Sequence, residues 1–174
     1  RIHRSSGMVY VDIYLYDNLS SGAGYSAGLL QVTDQLMECA EELLKDCTCD
    51  SACYSCLKHY WNQRNHVELN RQAALDLLRW GVRGEIRESI SLEKQDKMIL
   101  PLKKRAEMDE GIQMIFGMTE EGLYVQSETK SYPLEIYPAI QKQQRFKNER
   151  IYVSDLEIKY AVPTVYSEIR RLMR

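Results

Sequence analysis

The stretch CTCDSACYSC, residues 47–56, places four cysteines within ten residues. Their spacing is C-x-C-x3-C-x2-C, and the residues between them are mostly small or polar, which suits a loop wrapped around an ion. Disulfides inside C-x-C or C-x-x-C units would close very small, strained rings. The cluster therefore indicates a metal site on a short loop.

The thiols of Cys47, Cys49, Cys53 and Cys56 match the ligand set of a tetrahedral zinc site. Four protein ligands leave no open coordination position, so a zinc ion held here would be structural and not hydrolytic. The spacing does not by itself distinguish zinc from an iron–sulfur or redox-active cluster, and unligated or disulfide-paired cysteines also stay open. His59 is a possible substitute ligand, or else an ordinary surface or packed histidine.

Helical patterns flank the cluster on both sides. Between residues 25 and 45 apolar side chains recur at helical spacing, and Cys39 falls on the stripe predicted to be buried. A second helix is predicted over residues 66–80, with Asn65 as its N-cap. Ahead of both, residues 9–15 alternate between apolar and polar side chains, which is typical of a half-buried β-strand.

The second half of the chain has a different pattern. Residues 90–110 are charged and helix-prone, residues 112–137 contain short strand-like runs, and Pro163 suits the first turn of a last helix. We therefore expect an α+β fold with two domains. A strand–helix–zinc loop–helix unit spans residues 1–84, and a small α+β extension of unknown function spans residues 85–174.

Composition and charge narrow the class of protein. The net charge of -2 gives no overall attraction to nucleic acid or to an anionic membrane, so such binding would need a local patch. No apolar run is long enough for a transmembrane helix, and no signal peptide is recognisable. Clustered thiols favour a reducing cytoplasm. The sequence lacks an initiator Met, and we expect it to belong to a longer protein.

Three strings in this order resemble a known family: YLYDNLSSGAGYS (14–26), CTCDSACYSCL (47–57) and NQRNHVELNRQAALDLL (62–78). The family is the MrfA-like zinc-binding domain, which lies at the C-terminal end of many bacterial superfamily 2 DNA helicases and in related phage-defence subunits. The resemblance covers about residues 9–80. It implies that the four clustered cysteines are metal ligands, and it matches Asp17 and Gly22–Gly24 to a loop and Arg71 to the helix after the site.

Several residues are candidate nucleic-acid contacts. The loop before the first helix joins a strand to a helix N-terminus, where free N–H groups favour a phosphate, although its glycines also suit a tight connection. Basic residues recur in the second half of the chain. Their two interpretations are contact with a nucleic-acid backbone and an ordinary solvated face. The candidates are Gly22, Gly24, Arg71, Lys142, Arg145 and Lys147.

The resemblance implies a non-catalytic accessory module of a larger DNA helicase or translocase. Its zinc ion would be structural. Its partners would be DNA and an upstream helicase motor in the same chain. One alternative is a protein-interaction module of a phage-defence complex that does not touch DNA. A second is a metal-dependent nuclease, because Glu157 and Lys159 have E-x-K spacing and Glu135 or Asp155 could supply a second carboxylate for Mg²⁺. No P-loop is present, so this segment cannot itself drive ATP-dependent unwinding.

Overall fold

The computed structural model describes residues 2–5, 8–11, 14, 16, 24–111 and 113–174. It contains both helices and a five-stranded sheet, which confirms the expected α+β class. The chain divides into two compact units, Arg1–Glu85 and Ile86–Arg174. Which function each unit carries stays a prediction. Within the described ranges, no helix is both long enough and apolar enough to cross a lipid bilayer.

The first unit combines a short strand pair with helices. Strands β1 and β2 are antiparallel, with Ile2 opposite Val11. The described elements are β1 (Ile2–Ser5), β2 (Met8–Val11), α1 (Tyr25–Leu29), α2 (Thr33–Asp46), a 3₁₀ helix (Tyr60–Asn65) and α3 (Arg71–Arg83). Of the strand predicted over residues 9–15, residues 9–11 lie in β2, Tyr14 is not in a strand, and residues 12, 13 and 15 lie outside the described residues.

The helix predicted over residues 25–45 is interrupted between α1 and α2. The Thr33 hydroxyl donates to the Leu29 and Leu30 carbonyls at 3.1 and 3.2 Å, so it satisfies acceptors at the end of α1. Sequence periodicity alone missed this break, because the apolar spacing continues across it.

The prediction that Cys39 lies on a buried stripe of the helix before the cluster was wrong. Helix α2 packs against α3 through Leu44 and through Glu41, which pairs with two α3 arginines at 2.9 and 2.7 Å. Cys39 precedes Glu41 by two residues, so it lies about 200° around the helix axis from it. Cys39 is accordingly exposed, and Leu43 is half exposed.

The second unit is a mixed sheet covered by helices. The strands lie in the order β3-β4-β5-β7-β6, in which β5 and β7 are parallel and the other neighbours are antiparallel. The strands are β3 (Ile115–Thr119), β4 (Gly122–Gln126), β5 (Ser131–Tyr137), β6 (Phe146–Lys147) and β7 (Arg150–Ser154). The helices are α4 (Leu92–Met98), α5 (Leu100–Glu107), α6 (Asp155–Tyr160) and α7 (Val162–Leu172).

Side chains of alternate strand residues form the core of this unit. Leu123 and Val125 of β4 are buried while Tyr124 between them is partly exposed, as the two-residue period of a strand requires. Apolar residues of the helices complete the same cluster, including Leu102 and Ile169, which have no exposed surface. The unit therefore has a continuous apolar core of its own.

Candidate metal centre

The four clustered cysteines come together on the loop that follows α2. Their Sγ atoms all lie within 4.8 Å of one another. The sulfur–sulfur distances are 3.5 Å for Cys47–Cys53, 3.7 Å for Cys49–Cys56 and 3.8 Å for Cys53–Cys56. A zinc ion bound tetrahedrally, about 2.3 Å from each sulfur, requires sulfur–sulfur distances of about 3.8 Å. The thiols are free, not disulfide-bonded. The cluster therefore has the dimensions of a four-thiolate zinc site.

The thiols also perturb one another's ionisation. Loss of hydration, together with hydrogen bonds to neighbouring sulfurs, raises the pKa of Cys49 to about 12. Hydrogen bonds with the Cys47 thiol and the Ser55 backbone lower the pKa of Cys53 to about 7. Four sulfurs this close cannot all ionise unless a cation balances their charge. A divalent metal supplies that balance, so the donor set fits zinc.

Arg71 links the cysteine loop to both neighbouring helices. Its guanidinium donates to the Leu44 carbonyl at 2.6 Å and to the Cys49 carbonyl at 3.2 and 3.3 Å. Its backbone N–H donates to the Ser51 carbonyl at 2.6 Å. Arg71 was a candidate nucleic-acid contact, but these hydrogen bonds turn its charged group into the protein. Because Arg71 is the first residue of α3, these hydrogen bonds join that helix to the cysteine loop and to the end of α2.

The helix after the cluster begins five residues later than predicted. Asn70, and not Asn65, is its N-cap, and the Asn70 side chain accepts the Ala73 N–H at 3.1 Å. Asn65 is instead the last residue of the 3₁₀ helix. The prediction failed because both asparagines are plausible caps locally, whereas the hydrogen bond between Arg71 and the cysteine loop decides which one is used.

His59 lies beside the cluster but is not part of the four-thiol group. Its Nδ1 accepts the Trp61 N–H at 3.1 Å, and its backbone N–H donates to Asn62 Oδ1 at 2.9 Å. The Asn62 amide also donates to the Leu57 carbonyl at 2.8 Å, and its Oδ1 lies 2.9 Å from His66 Nε2. His59 therefore caps the 3₁₀ helix, a role that no local sequence pattern indicated.

The glycine loop proposed to hold a phosphate is described only at its end. Asp17, Gly22 and Ala23 lie outside the described residues. Gly24 is exposed and has a φ of 74°, a left-handed conformation that glycine adopts at low cost immediately before α1.

The candidate basic contacts of the second half fall into two groups. The Arg145 guanidinium pairs with Glu157 of α6 at 2.6 Å and with Glu168 of α7 at 2.9 Å, so it connects the segment just before β6 to both helices. Lys142 and Lys147 are exposed to solvent. These two lysines are therefore accessible to a nucleic acid, whereas the Arg145 guanidinium forms ion pairs within the protein.

The residues of the nuclease hypothesis do not assemble as expected. Glu157 and Lys159 lie on α6, not on one face of a strand, and the Glu157 carboxylate accepts bonds from the Ser154 N–H and hydroxyl at 2.9 and 2.8 Å. Glu135 and Asp155 each pair with an arginine. In the part of the chain that is described, no group of three or more potential metal ligands includes these carboxylates.

Comparisons with known proteins agree with the cysteine cluster. The family model of the MrfA Zn-binding domain matches residues 6–57, a range that contains all four clustered cysteines. Druantia protein DruE from Escherichia coli (strain UMEA 4076-1) is 28% identical over 173 residues, which cover 94% of this chain and 9% of that protein. The chain thus spans less than a tenth of this relative. No solved structure gives a significant match.

The resemblance drawn from the sequence is therefore confirmed for the segment that carries the cysteines. The family description and the sulfur geometry agree on zinc as the cofactor. Residues 6–57 of this chain match the MrfA Zn-binding domain family.

Proposed function

We propose that this chain is a structural, zinc-binding accessory module of a larger DNA helicase or translocase that acts in phage defence in the cytoplasm. Cys47, Cys49, Cys53 and Cys56 hold one zinc ion, and the motor that hydrolyses ATP lies upstream in the same protein. The zinc-binding domain comprises residues 1–84. The sulfur spacing, which fits a tetrahedral site, carries the zinc role.

The zinc ion would join two helices and would not perform chemistry. Cys47 directly follows α2, and the Arg71 guanidinium connects the cysteine loop to that helix and to α3. A closed set of four thiolates has no position for water or substrate. Similarity to a Druantia protein along nearly the whole chain supports the defence role, and the much greater length of that relative supports the idea of a module within a larger protein.

Elemental analysis tests the zinc site. The 174-residue chain should carry one zinc ion, and Cys53→Ser should lose most of it because three thiolates bind the ion less tightly. Cys39→Ser is the matched control, since Cys39 is exposed and outside the cluster. A wild-type chain without zinc, or equal zinc loss in both variants, would show the proposal to be wrong.

The assistance to DNA binding is tested by charge reversal. Lys147 is exposed, and Lys147→Glu should weaken binding to DNA. The slope of log affinity against log salt concentration should become shallower by about one, which corresponds to one lost phosphate contact. Lys94→Glu makes the same charge change at an exposed position of α4 and should bind like the wild type. No binding at low salt, or equal effects of both changes, would refute this part of the proposal.

One observation favours a protein-interaction module as the second candidate. The guanidinium groups of Arg71 and Arg145, both expected to contact DNA, are engaged inside the protein. If the zinc-loaded chain fails to bind DNA at low salt, docking of a partner subunit becomes the better explanation of its exposed aromatic side chains.

A further inference from the structure

The 3₁₀ helix after the cysteine loop holds two large aromatic side chains in solvent. Trp61 is 86% exposed and Tyr60 is 69% exposed. Their rings meet edge to face, with centroids 5.1 Å apart and planes at 85°. Tryptophan is highly buried on average in folded proteins, so a nearly free indole is an informative exception.

The backbone beneath these rings is firmly held. The His59 imidazole accepts the Trp61 N–H, and the Asn62 side chain bonds to His59 and to the Leu57 carbonyl. Lys58, the next residue after Leu57, donates its N–H to the Cys53 carbonyl at 2.9 Å. The aromatic pair is thus attached to the cysteine loop by a continuous set of hydrogen bonds, which limits the entropy that a ligand would have to remove.

The segment that carries the rings has basic side chains available to a nucleic acid. Between Ser51 and Val67 the charged side chains other than the cysteine thiols are Lys58 and Arg64, and both are basic. Arg64 is exposed, and no ion pair involves either residue within the described ranges. Exposed aromatic rings next to unpaired cations are the combination that proteins use to bind single strands, because every base has a face that can stack.

We propose that Trp61 and Tyr60 form a stacking platform for the bases of single-stranded DNA and that Arg64 contacts its backbone. This rests on the proposed role in DNA binding and adds to it the strand form and the contact residues. The charge supports a nucleic acid as occupant: the exposed side chains that follow the rings in sequence are the polar and basic Gln63, Arg64 and Asn65, and the phosphates of a strand stacked on the rings would pair with Arg64.

The test measures binding of a labelled 12-nucleotide oligothymidylate to the zinc-loaded 174-residue chain. Trp61→Ala should weaken binding by about tenfold, the usual cost of losing one stacked base. Trp61→Phe should retain most of the affinity, because a ring remains. Val67→Ala is the matched control, since Val67 is 79% exposed, close in the chain and not aromatic. Zinc content and thermal melting must equal those of the wild type for every variant.

The possible outcomes separate this inference from the proposed function. Wild-type affinity in Trp61→Ala, together with weaker binding in Lys147→Glu, would overturn the platform and leave the DNA-binding role intact. Equal loss in Trp61→Ala and Val67→Ala, tighter binding of a duplex, or tighter binding of an oligouridylate would also overturn it. Absence of any binding by the wild type would overturn both.

Discussion

The two units of this chain are stabilised in different ways. In the second unit, sheet and helices enclose an apolar core in which Leu102 and Ile151 have no exposed surface. In the first unit, the buried hydrophobic side chains among those described are Leu44, Ala52 and Leu75. Those three side chains by themselves offset little of the conformational entropy lost on folding, and small units often depend on a metal or on disulfides.

The comparison shows where the zinc ion matters. In the first unit, α2 and α3 are joined by the cysteine loop, by Arg71 and by the ion pairs of Glu41. The second unit has no need of such a link, since its apolar cluster connects strands β3, β4, β5 and β7 to the helices. We therefore expect the units to respond differently to metal removal, to core mutations and to pH.

Removal of zinc should have the largest effect. A strong chelator should unfold the first unit, because zinc affinity in such loops is largely folding free energy, on the order of 10 kcal/mol. Hydrogen exchange should show loss of amide protection in α2 and α3 and unchanged protection in β5 and β7. Equal loss in both units, or no loss in α2, would contradict the proposed difference between the units.

A cavity in the apolar core should have the next largest effect, in the other unit. Ile151→Ala should reduce the free energy of unfolding of the second unit by about 2–5 kcal/mol, because Ile151 is fully buried on β7. Denaturant unfolding measures the change, and zinc content should not alter. Ile115→Ala serves as control, since Ile115 is 60% exposed, and a similar loss there would argue against the assigned core.

Loss of the Arg71 guanidinium should have a moderate effect on the first unit alone. Arg71→Ala leaves the Leu44 and Cys49 carbonyls without their donors, and hydrogen bonds from charged groups contribute about 1.5–3 kcal/mol. Zinc should also be extracted faster by a chelator. Arg64→Ala removes an exposed guanidinium nearby and should leave both the unfolding free energy and the extraction rate unchanged.

Protonation of one carboxylate of the second unit, Glu157, should have a smaller effect on stability. Burial alone would raise the pKa of Glu157, but bonds from Ser154 and the Arg145 guanidinium outweigh it and hold that pKa below the ordinary value of 4.5. A lowered folded-state pKa means that the contribution to stability is present above pH 4.5 and is lost as the pH falls through the folded-state pKa.

Glu157→Gln measures that contribution. The variant should be less stable than the wild type near neutral pH, and the difference should shrink as the pH is lowered below 4.5. Denaturant midpoints at a series of pH values provide the comparison. A difference that stays constant across this range would show that Glu157 acts through packing and not through its charge.

Local patterns predicted some elements well. The strand-like runs of residues 112–137 and the proline at the start of α7 were recognisable because strand and helix-start preferences act over a few residues. The local pattern of residues 150–162, RIYVSDLEIKYAV, suits a strand or a helix, and the structure uses both, with β7 followed directly by α6. Here the Ser154 and Glu157 capping box marks the change.

Long-range partners explain the wrong predictions. Cys39 was placed on a buried face because the periodicity of α2 does not reveal which side meets α3; the ion pairs of Glu41, 38 residues from Arg79, decide that. Arg145 stays a predicted nucleic-acid contact, but the neighbouring sequence does not reveal that Glu168, 23 residues away, pairs with it. Neither contact leaves a signal in the neighbouring sequence.

By itself, the sequence determined the thiol cluster, because four cysteines within ten residues cannot lie far apart on any loop that returns on itself, and their number sets the tetrahedral donor set. Only the tertiary structure decided that the Arg71 guanidinium donates hydrogen bonds to the cysteine loop and that the Trp61 side chain stays in solvent. The physical reason is that burial and hydrogen bonding of long side chains depend on groups that folding brings together from distant parts of the chain.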